Sequence, residues 1–236
     1  MFNSVFRRSF FLPFLFFVLL AADLDLREAR AASETELRQQ VEQIQQLYRS
    51  LNSFSFDFQQ ITRNGRRDRH GAGNSIFYRP DSGKPGIMRW NYTEPDKQVI
   101  LNDGKQLSIY TEKDKQVIIS SATELESDIT ASLFAGSHNL TDDFNVQPAE
   151  NRFASDAAVR VVLLVPKKPH GQIKTVHVWF DSESMIRKLV MEDYFDTLTE
   201  LVFSNIKFNE LPAGSTKVAE ELVRLDLPLG TEVIKQ

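Results

Sequence analysis

The sequence contains no cysteine. That absence excludes a disulfide framework, a thiol nucleophile, a cysteine-based metal site and acylation of this chain at a lipobox cysteine of its own. Histidine is scarce too, and no two of the four histidines stand at the i, i+4 spacing by which a helix binds zinc. We therefore expect neither a metal site nor a cofactor.

Catalytic motifs are missing as well. The sequence has no GxSxG nucleophile elbow and no Walker-type phosphate-binding loop. No nucleophile and base can be paired from the sequence, so no residue can be assigned a catalytic role. We expect that the protein is not an enzyme.

The sequence has no excess of positive charge. Lysine and arginine number 28 against 32 aspartates and glutamates, which gives a net charge of -4. A nucleic-acid-binding domain usually carries a basic face, so we expect no nucleic-acid partner.

No apolar run is long enough to span a bilayer, which takes roughly 20 residues. The apolar stretch at residues 10–22 follows two arginines, and residues 29–31 form a small-x-small site. This order is typical of a secretory signal, so we expect residues 1–31 to be a signal peptide and residues 32–236 one soluble, exported domain. Cleavage nearer Ala22 and retention of the segment as a membrane anchor are the alternatives.

What the sequence does contain is phenylalanine, 18 residues in all. Three of them alternate with polar residues at Phe54, Phe56 and Phe58, directly after an amphipathic pattern that predicts a helix over residues 33–52. The stripe can be an ordinary strand core, or it can line a concave apolar cavity. Alternation selects one face of each strand without telling which face points inward.

Short runs of strand-forming residues, separated by turn residues, continue to the C-terminal part of the chain. A second helix is predicted once between them, at residues 122–135. The predicted strands after the phenylalanine stripe are residues 75–79, 87–92, 98–101, 106–110, 116–120, 152–165, 173–181, 186–193 and 198–208. Together they predict a mainly β domain built on a large antiparallel sheet.

A series of short motifs carries a resemblance to a known family. The series consists of F-x-F-x-Q from Phe56, Tyr78-Arg79-Pro80, Met88 to Tyr92 with R-W-x-Y, Glu94-Pro95 with Gln98, Asn102 to Lys105, Leu107, Tyr110, and a closing P-x-G-x-x-V-I from Pro228 to Ile234. In order and spacing this series resembles the LolA family, over nearly all of the predicted mature chain.

The resemblance implies a fold and a function. The fold would be an incomplete, half-open antiparallel barrel of about eleven strands with a few helices as a lid over an apolar cavity. The function would be that of a periplasmic chaperone that binds lipoprotein acyl chains. Such a protein receives cargo from an inner-membrane ABC transporter of the LolCDE type and passes it to an outer-membrane acceptor of the LolB type or an equivalent. We expect a monomer.

The resemblance and the alternation together yield candidate site residues. Arg79 matches the family arginine associated with the lid, and we hypothesise that it hydrogen-bonds lid backbone in the empty state and releases it on loading. The other lid candidates are Leu125, Ile129, Leu133 and Phe134. The expected wall of the acyl cavity is Phe54, Phe56, Phe58, Met88, Trp90, Tyr92, Leu107 and Ile109.

Other readings stay open from the sequence. The same fold can carry or sense another amphiphile, such as a glycolipid or a phospholipid. A structural envelope protein would need no cavity, and an enzyme acting on lipid would need a nucleophile and a base.

Overall fold

The computed structural model describes residues 34–65, 67–80, 86–122, 130, 133–134, 139–153, 158–169 and 172–236. Within them, twelve strands form one sheet. The strands are β1 (Ser53–Asn64), β2 (Arg67–Tyr78), β3 (Ile87–Glu94), β4 (Gln98–Asn102), β5 (Gln106–Thr111), β6 (Gln116–Ser121), β7 (Phe144–Pro148), β8 (Arg160–Pro166), β9 (Ile173–Phe180), β10 (Ile186–Asp193), β11 (Leu198–Phe208) and β12 (Glu232–Lys235). The helices are α1 (34–50), α2 (Leu140–Asp143) and α3 (Thr216–Val223), with a 3-10 helix at Asn151–Phe153.

The sheet is open, with β12 and β7 at its two ends and the order β12-β6-β5-β4-β3-β2-β1-β11-β10-β9-β8-β7. Strands β1 to β11 pair antiparallel with their neighbours, and β12 alone joins in parallel, beside β6. The mainly β, half-open antiparallel barrel expected from the sequence is confirmed, and the parallel β12 brings the strand count to twelve.

The sheet is strongly curved. Ile100 of β4 and Met191 of β10 line the same small cavity, although five strand intervals separate β4 from β10 in the sheet order. In a flat sheet, five intervals would hold these strands about 24 Å apart. The sheet must therefore curl so that its two halves face each other across a concave side.

The concave side contains the main hydrophobic core, and α1 lies against it. Val41, Ile44, Tyr48 and Leu51 recur at helical spacing and are all buried in the same cluster as the inward residues of the strands. The amphipathic pattern thus predicted both the helix and the side that it buries. The predicted start, Ser33, lies outside the described residues.

The convex side carries a second, smaller cluster under the segment that includes α3. Tyr78, Ile87 and Leu101 are buried there, beneath partly buried residues such as Val218 and Leu222. Ser215 caps α3, because its side chain accepts a hydrogen bond from the Val218 amide. The sequence analysis predicted neither α3 nor β7.

Two predicted boundaries are wrong. Strand β2 begins at Arg67 instead of Ser75, because it pairs residue by residue with β1 back to a tight turn at Gly65, despite its polar and glycine-rich first half. Strand β8 begins at Arg160, and Arg152 belongs to the 3-10 helix. The helix predicted at residues 122–135 is described in part. Residues 130, 133 and 134 are helical, and residue 122 lies in a 3-10 turn. The other residues of this range lie outside the described residues.

Candidate functional site

The centre of the concave side is a wall of aromatic rings. Phe54, Phe56 and Phe58 of β1 are all at most 4% exposed. The ring of Trp90 meets Phe56 edge-on at a centroid distance of 5.4 Å and Phe58 at 4.8 Å. Tyr92 meets Phe58 in the same manner at 4.8 Å. Such edge-to-face pairs are favoured by the ring quadrupoles, so the wall is internally well packed.

The structure places all eight predicted wall residues on this one side. Met88 and Leu107 are buried in the main cluster together with the three β1 phenylalanines and Trp90. Tyr92 and Ile109 are partly buried and pack against the same cluster. The register between neighbouring strands thus selects which alternate positions face inward, which alternation alone could not do.

Helical residues cover the wall from the concave side. Leu133 and Phe134 are each 1% exposed, and the Phe134 ring lies 5.2 Å from Phe54 and 5.5 Å from Phe56. These two lid candidates therefore contact the wall directly. The other two, Leu125 and Ile129, lie outside the described residues.

Tyr48 joins α1 to the sheet. Its ring contacts Phe54 and Phe134, and its hydroxyl accepts a hydrogen bond from the Ile186 amide at 3.1 Å. Burial raises the pKa of the Tyr48 phenol well above its ordinary value, so this group stays neutral. The ring of Tyr48 thus packs into the apolar core, and its hydroxyl gives the buried Ile186 amide of β10 a hydrogen-bond acceptor.

Arg79 follows directly after β2 and holds the C-terminal end of α1. Its Nη1 donates to the carbonyl oxygens of Arg49 at 2.8 Å and Leu51 at 2.7 Å. Partial burial lowers the pKa of the guanidinium, which nevertheless remains charged at neutral pH. A cation at this place suits the negative end of the helix dipole and satisfies carbonyls that lack an intrahelical partner. The predicted contact between Arg79 and lid backbone stays a prediction.

A cavity of about 140 Å³ lies between the aromatic wall and the helical residues. Three predicted wall residues line it, Met88, Trp90 and Tyr92. The sequence analysis did not select its other lining residues, which are Gln60, Ile100, Thr130, Met191, Thr199 and Leu201. Met191 and Leu201 lie on β10 and β11. These strands were predicted from the sequence, but they contain none of the family motifs, so their residues were not selected.

The described residues of the site form an apolar, largely aromatic surface. Within the described ranges, no group of three or more histidines, aspartates or glutamates could hold a metal ion. None of the helical segments in that part of the chain is both long and apolar enough to cross a membrane. Fold and site together define a half-open β-barrel protein with an aromatic, apolar site on its concave side.

The chain belongs to the LolA family, because the family model described as outer membrane lipoprotein carrier protein LolA matches residues 49–216. The resemblance found in the sequence motifs is thereby confirmed. An outer-membrane lipoprotein carrier protein of Nitrosomonas europaea is 26% identical over 185 residues, which cover 78% of this chain and 82% of that protein. Another from Cupriavidus pinatubonensis is 26% identical over 225 residues, covering 93% of this chain and 98% of that protein.

A solved structure shares the fold. An uncharacterized conserved protein from Thermus thermophilus aligns with a TM-score of 0.50 at 10% identity, covering 86% of this chain and 99% of that one. At this identity the similarity concerns the fold alone.

Proposed function

We propose that this protein is a periplasmic carrier that binds the acyl chains of lipoproteins in its concave apolar site. The observation that carries the proposal is the convergence of the wall residues of a LolA-family chain on one continuous aromatic core. The relatives named above are lipoprotein carriers by name. In this proposal the protein works by binding and release, without a catalytic step.

The energetics explain why such a carrier needs this wall. An acyl chain of roughly 16 carbons costs on the order of 12 kcal/mol to keep in water, at about 0.8 kcal/mol per methylene. Only a large apolar surface screened from solvent can offset that cost. The phenylalanine stripe of β1, Trp90 and Met88 provide such a surface in the centre of the curved sheet.

The apolar cavity is small compared with an acyl chain while the helical residues cover the wall, an arrangement that we call the closed form. At about 140 Å³, the cavity is similar to the engineered cavity of roughly 150 Å³ that holds one benzene. Pockets for larger ligands measure about 300–1,000 Å³. Loading therefore requires that the covering residues, Leu133 and Phe134 among them, move away from the wall. We propose that Arg79 stabilises the closed form and that bound acyl chains stabilise the open one.

Transport needs a source, a destination and energy. We propose that residues 1–31 direct export and are removed, and that residues 32–236 receive cargo from an ABC transporter of the LolCDE type in the inner membrane. The cargo then passes to an outer-membrane acceptor of the LolB type or an equivalent. Extracting several acyl chains costs more than one cavity returns, so loading should depend on ATP hydrolysis by the transporter.

The proposal can be tested by adding the purified mature protein to spheroplasts that synthesise labelled lipoproteins. We expect lipoproteins to appear in the supernatant in a one-to-one complex with the protein, and to remain in the membrane when ATP is depleted. Absence of release, with phospholipid or glycolipid recovered from the purified protein instead, would replace the proposal with a carrier of another amphiphile.

A further inference from the structure

The concave side changes from apolar to polar along several of its strands. On β1 the inward residues run from Phe58 to Gln60 and Thr62, and on β11 they run from Leu201 to Thr199. Resting on the function proposed above, we propose that this polar end is a second subsite. It binds the glyceryl–cysteine junction and the first peptide residues of the carried lipoprotein.

These polar residues form what we call the polar belt, defined as Gln60, Thr62, Gln98, Thr111 and Thr199. Thr62 of β1 stands opposite Thr199 of β11. On the other side of the curve, Gln98 of β4 stands opposite both Tyr92 of β3 and Thr111 of β5, which places all three level with Phe58 of β1. The change of polarity therefore runs diagonally across the strands, with Tyr92 of β3 at its border.

Hydrogen bonds order the belt and mark its border. The Tyr92 hydroxyl donates to Gln60 Oε1 at 2.8 Å, and Gln60 Nε2 donates to Thr62 Oγ1 at 3.2 Å. On the far side, Gln98 Nε2 donates to Thr111 Oγ1 at 3.3 Å. The ring of Tyr92 thus contacts the phenylalanine wall, and its hydroxyl bonds to the belt. Tyrosine often lies at such a boundary, because its ring is apolar and its hydroxyl is polar.

A glycine lies beside that border residue. A β-carbon added at Gly71 would lie 3.4 Å from Cε1 of the Tyr92 ring, which is van der Waals contact. Gly71 is also the cross-strand partner of Gln60, the residue to which the Tyr92 hydroxyl donates its hydrogen bond.

The space beyond the border is open and lies next to the apolar cavity. It measures about 360 Å³ and is lined by Gln60, Thr62, Tyr92, Gln98 and Thr111. The remaining lining residues come from the hairpin ends and include charged side chains: Arg69, His70, Gly71, Glu94, Pro95 and Asp96. The apolar cavity of about 140 Å³ shares Gln60 and Tyr92 with it. The two spaces therefore adjoin at the Tyr92–Gln60 pair, one apolar and one polar.

This sequence of environments matches the chemistry of an acylated cysteine. The acyl chains are apolar, whereas the glyceryl esters, the amide of the acylated cysteine and the next peptide bonds are uncharged and hydrogen-bonding. The belt residues are likewise uncharged, and amide and hydroxyl groups can both donate and accept. An ester or peptide group lying here would replace water without leaving a buried polar group unpaired.

The inference can be tested by placing a photo-crosslinking amino acid at Thr111 in the belt and, as a matched control, at Val202 on the convex side. Complexes would be collected from spheroplasts, irradiated and digested, and the crosslinked fragment of the lipoprotein identified by mass spectrometry. We expect the Thr111 probe to capture the first residues of the cargo and the Val202 probe to capture none. Crosslinks to distant cargo residues at Thr111, or equal yields at both positions, would overturn the proposal.

A second variant keeps the subsite and the function distinguishable. Gln98→Leu combined with Thr111→Val removes a half-buried hydrogen-bonding pair from the belt and leaves the aromatic wall intact. We expect the released complex to dissociate about tenfold faster while its acyl chains still bind. Unchanged dissociation would exclude the belt as a subsite, whereas failure of wild-type protein to release any lipoprotein would overturn the carrier function and the subsite together. Capture of phospholipid alone at Thr111 would assign the belt to a different glyceryl ester.

Discussion

Two helices rest on opposite sides of the sheet, and an arginine holds each of them in the same way. Arg79 donates from Nη1 to two carbonyls at the end of α1, and Arg89 of β3 donates from Nη1 to the carbonyls of Leu222 and Arg224, each at 2.9 Å. In both cases the guanidinium satisfies backbone carbonyls where the helix ends.

The two helices differ in what they bury. On the concave side, α1 contributes Val41, Ile44 and Tyr48 to the main core, all at most 2% exposed. On the convex side, α3 has no buried residue of its own, and its partly buried side chains pack on Tyr78, Ile87 and Leu101. The same kind of contact therefore holds a helix of the main core in one place and a peripheral segment, residues 211–225, in the other. Of these two arginines, Arg79 contacts the helix that lies against the concave core.

We expect the largest loss of stability when an aromatic ring of the concave wall is removed. Phe54→Ala removes a ring that contacts Tyr48, Phe77 and Phe134, so it should lower the free energy of unfolding by about 3–5 kcal/mol. The matched convex variant, Val218→Ala, should cost about 1 kcal/mol, because that side chain is only partly buried. Urea denaturation measures both, and similar losses would mean that the two sides are equally part of the core.

Replacing the concave arginine should affect both stability and cargo release. Arg79→Leu removes two hydrogen bonds from a charged donor, and we expect it to lower the free energy of unfolding by about 2 kcal/mol. If those bonds favour the closed form, their loss favours the loaded one, and transfer of lipoprotein to the acceptor should slow by about tenfold.

The control for this variant is Arg79→Lys, which keeps the charge but cannot present the planar guanidinium to two carbonyls. We expect a transfer rate between those of the wild type and Arg79→Leu. Transfer at the wild-type rate in Arg79→Leu would remove Arg79 from the mechanism.

The convex arginine should give the smallest effect. Arg89→Leu should lower the free energy of unfolding by about 1 kcal/mol and speed amide hydrogen exchange in residues 211–225, while exchange in α1 stays unchanged. Cargo transfer should also be unchanged. Faster hydrogen exchange in α1 would show that residues 211–225 and the concave core are coupled.

Much of the fold could be predicted, because the patterns that encode it are local. The phenylalanine stripe, the spacing of Val41, Ile44 and Tyr48, and the turn residues between strands predicted most elements and their class. The first half of β2 could not be predicted, since Arg67 to Asn74 is mostly polar and glycine-rich and forms a strand through its pairing with β1 and, from Ala72 on, with β3. Short elements such as β7 and α3 depend on tertiary contacts that no local pattern records.

The candidate site was predicted in part for a related reason. Family motifs pointed to β1, β3 and β5, and the wall residues on them converge on one cluster. Met191 and Leu201 were missed because curvature, a property of the whole sheet, brings them opposite Ile100. The polar belt was invisible for the same reason, since its members become neighbours only through the strand register.

The two tryptophans allow the most direct test of the concave site, because Trp90 lies in its wall and Trp179 lies on the opposite side of the sheet, beside His177 and Lys188. The measurement is fluorescence quenching by a lipopeptide with brominated acyl chains, in Trp179→Phe to observe Trp90 and in Trp90→Phe to observe Trp179. The account predicts strong, saturable quenching of Trp90 and none of Trp179. Quenching of Trp179 with Trp90 unaffected would contradict it.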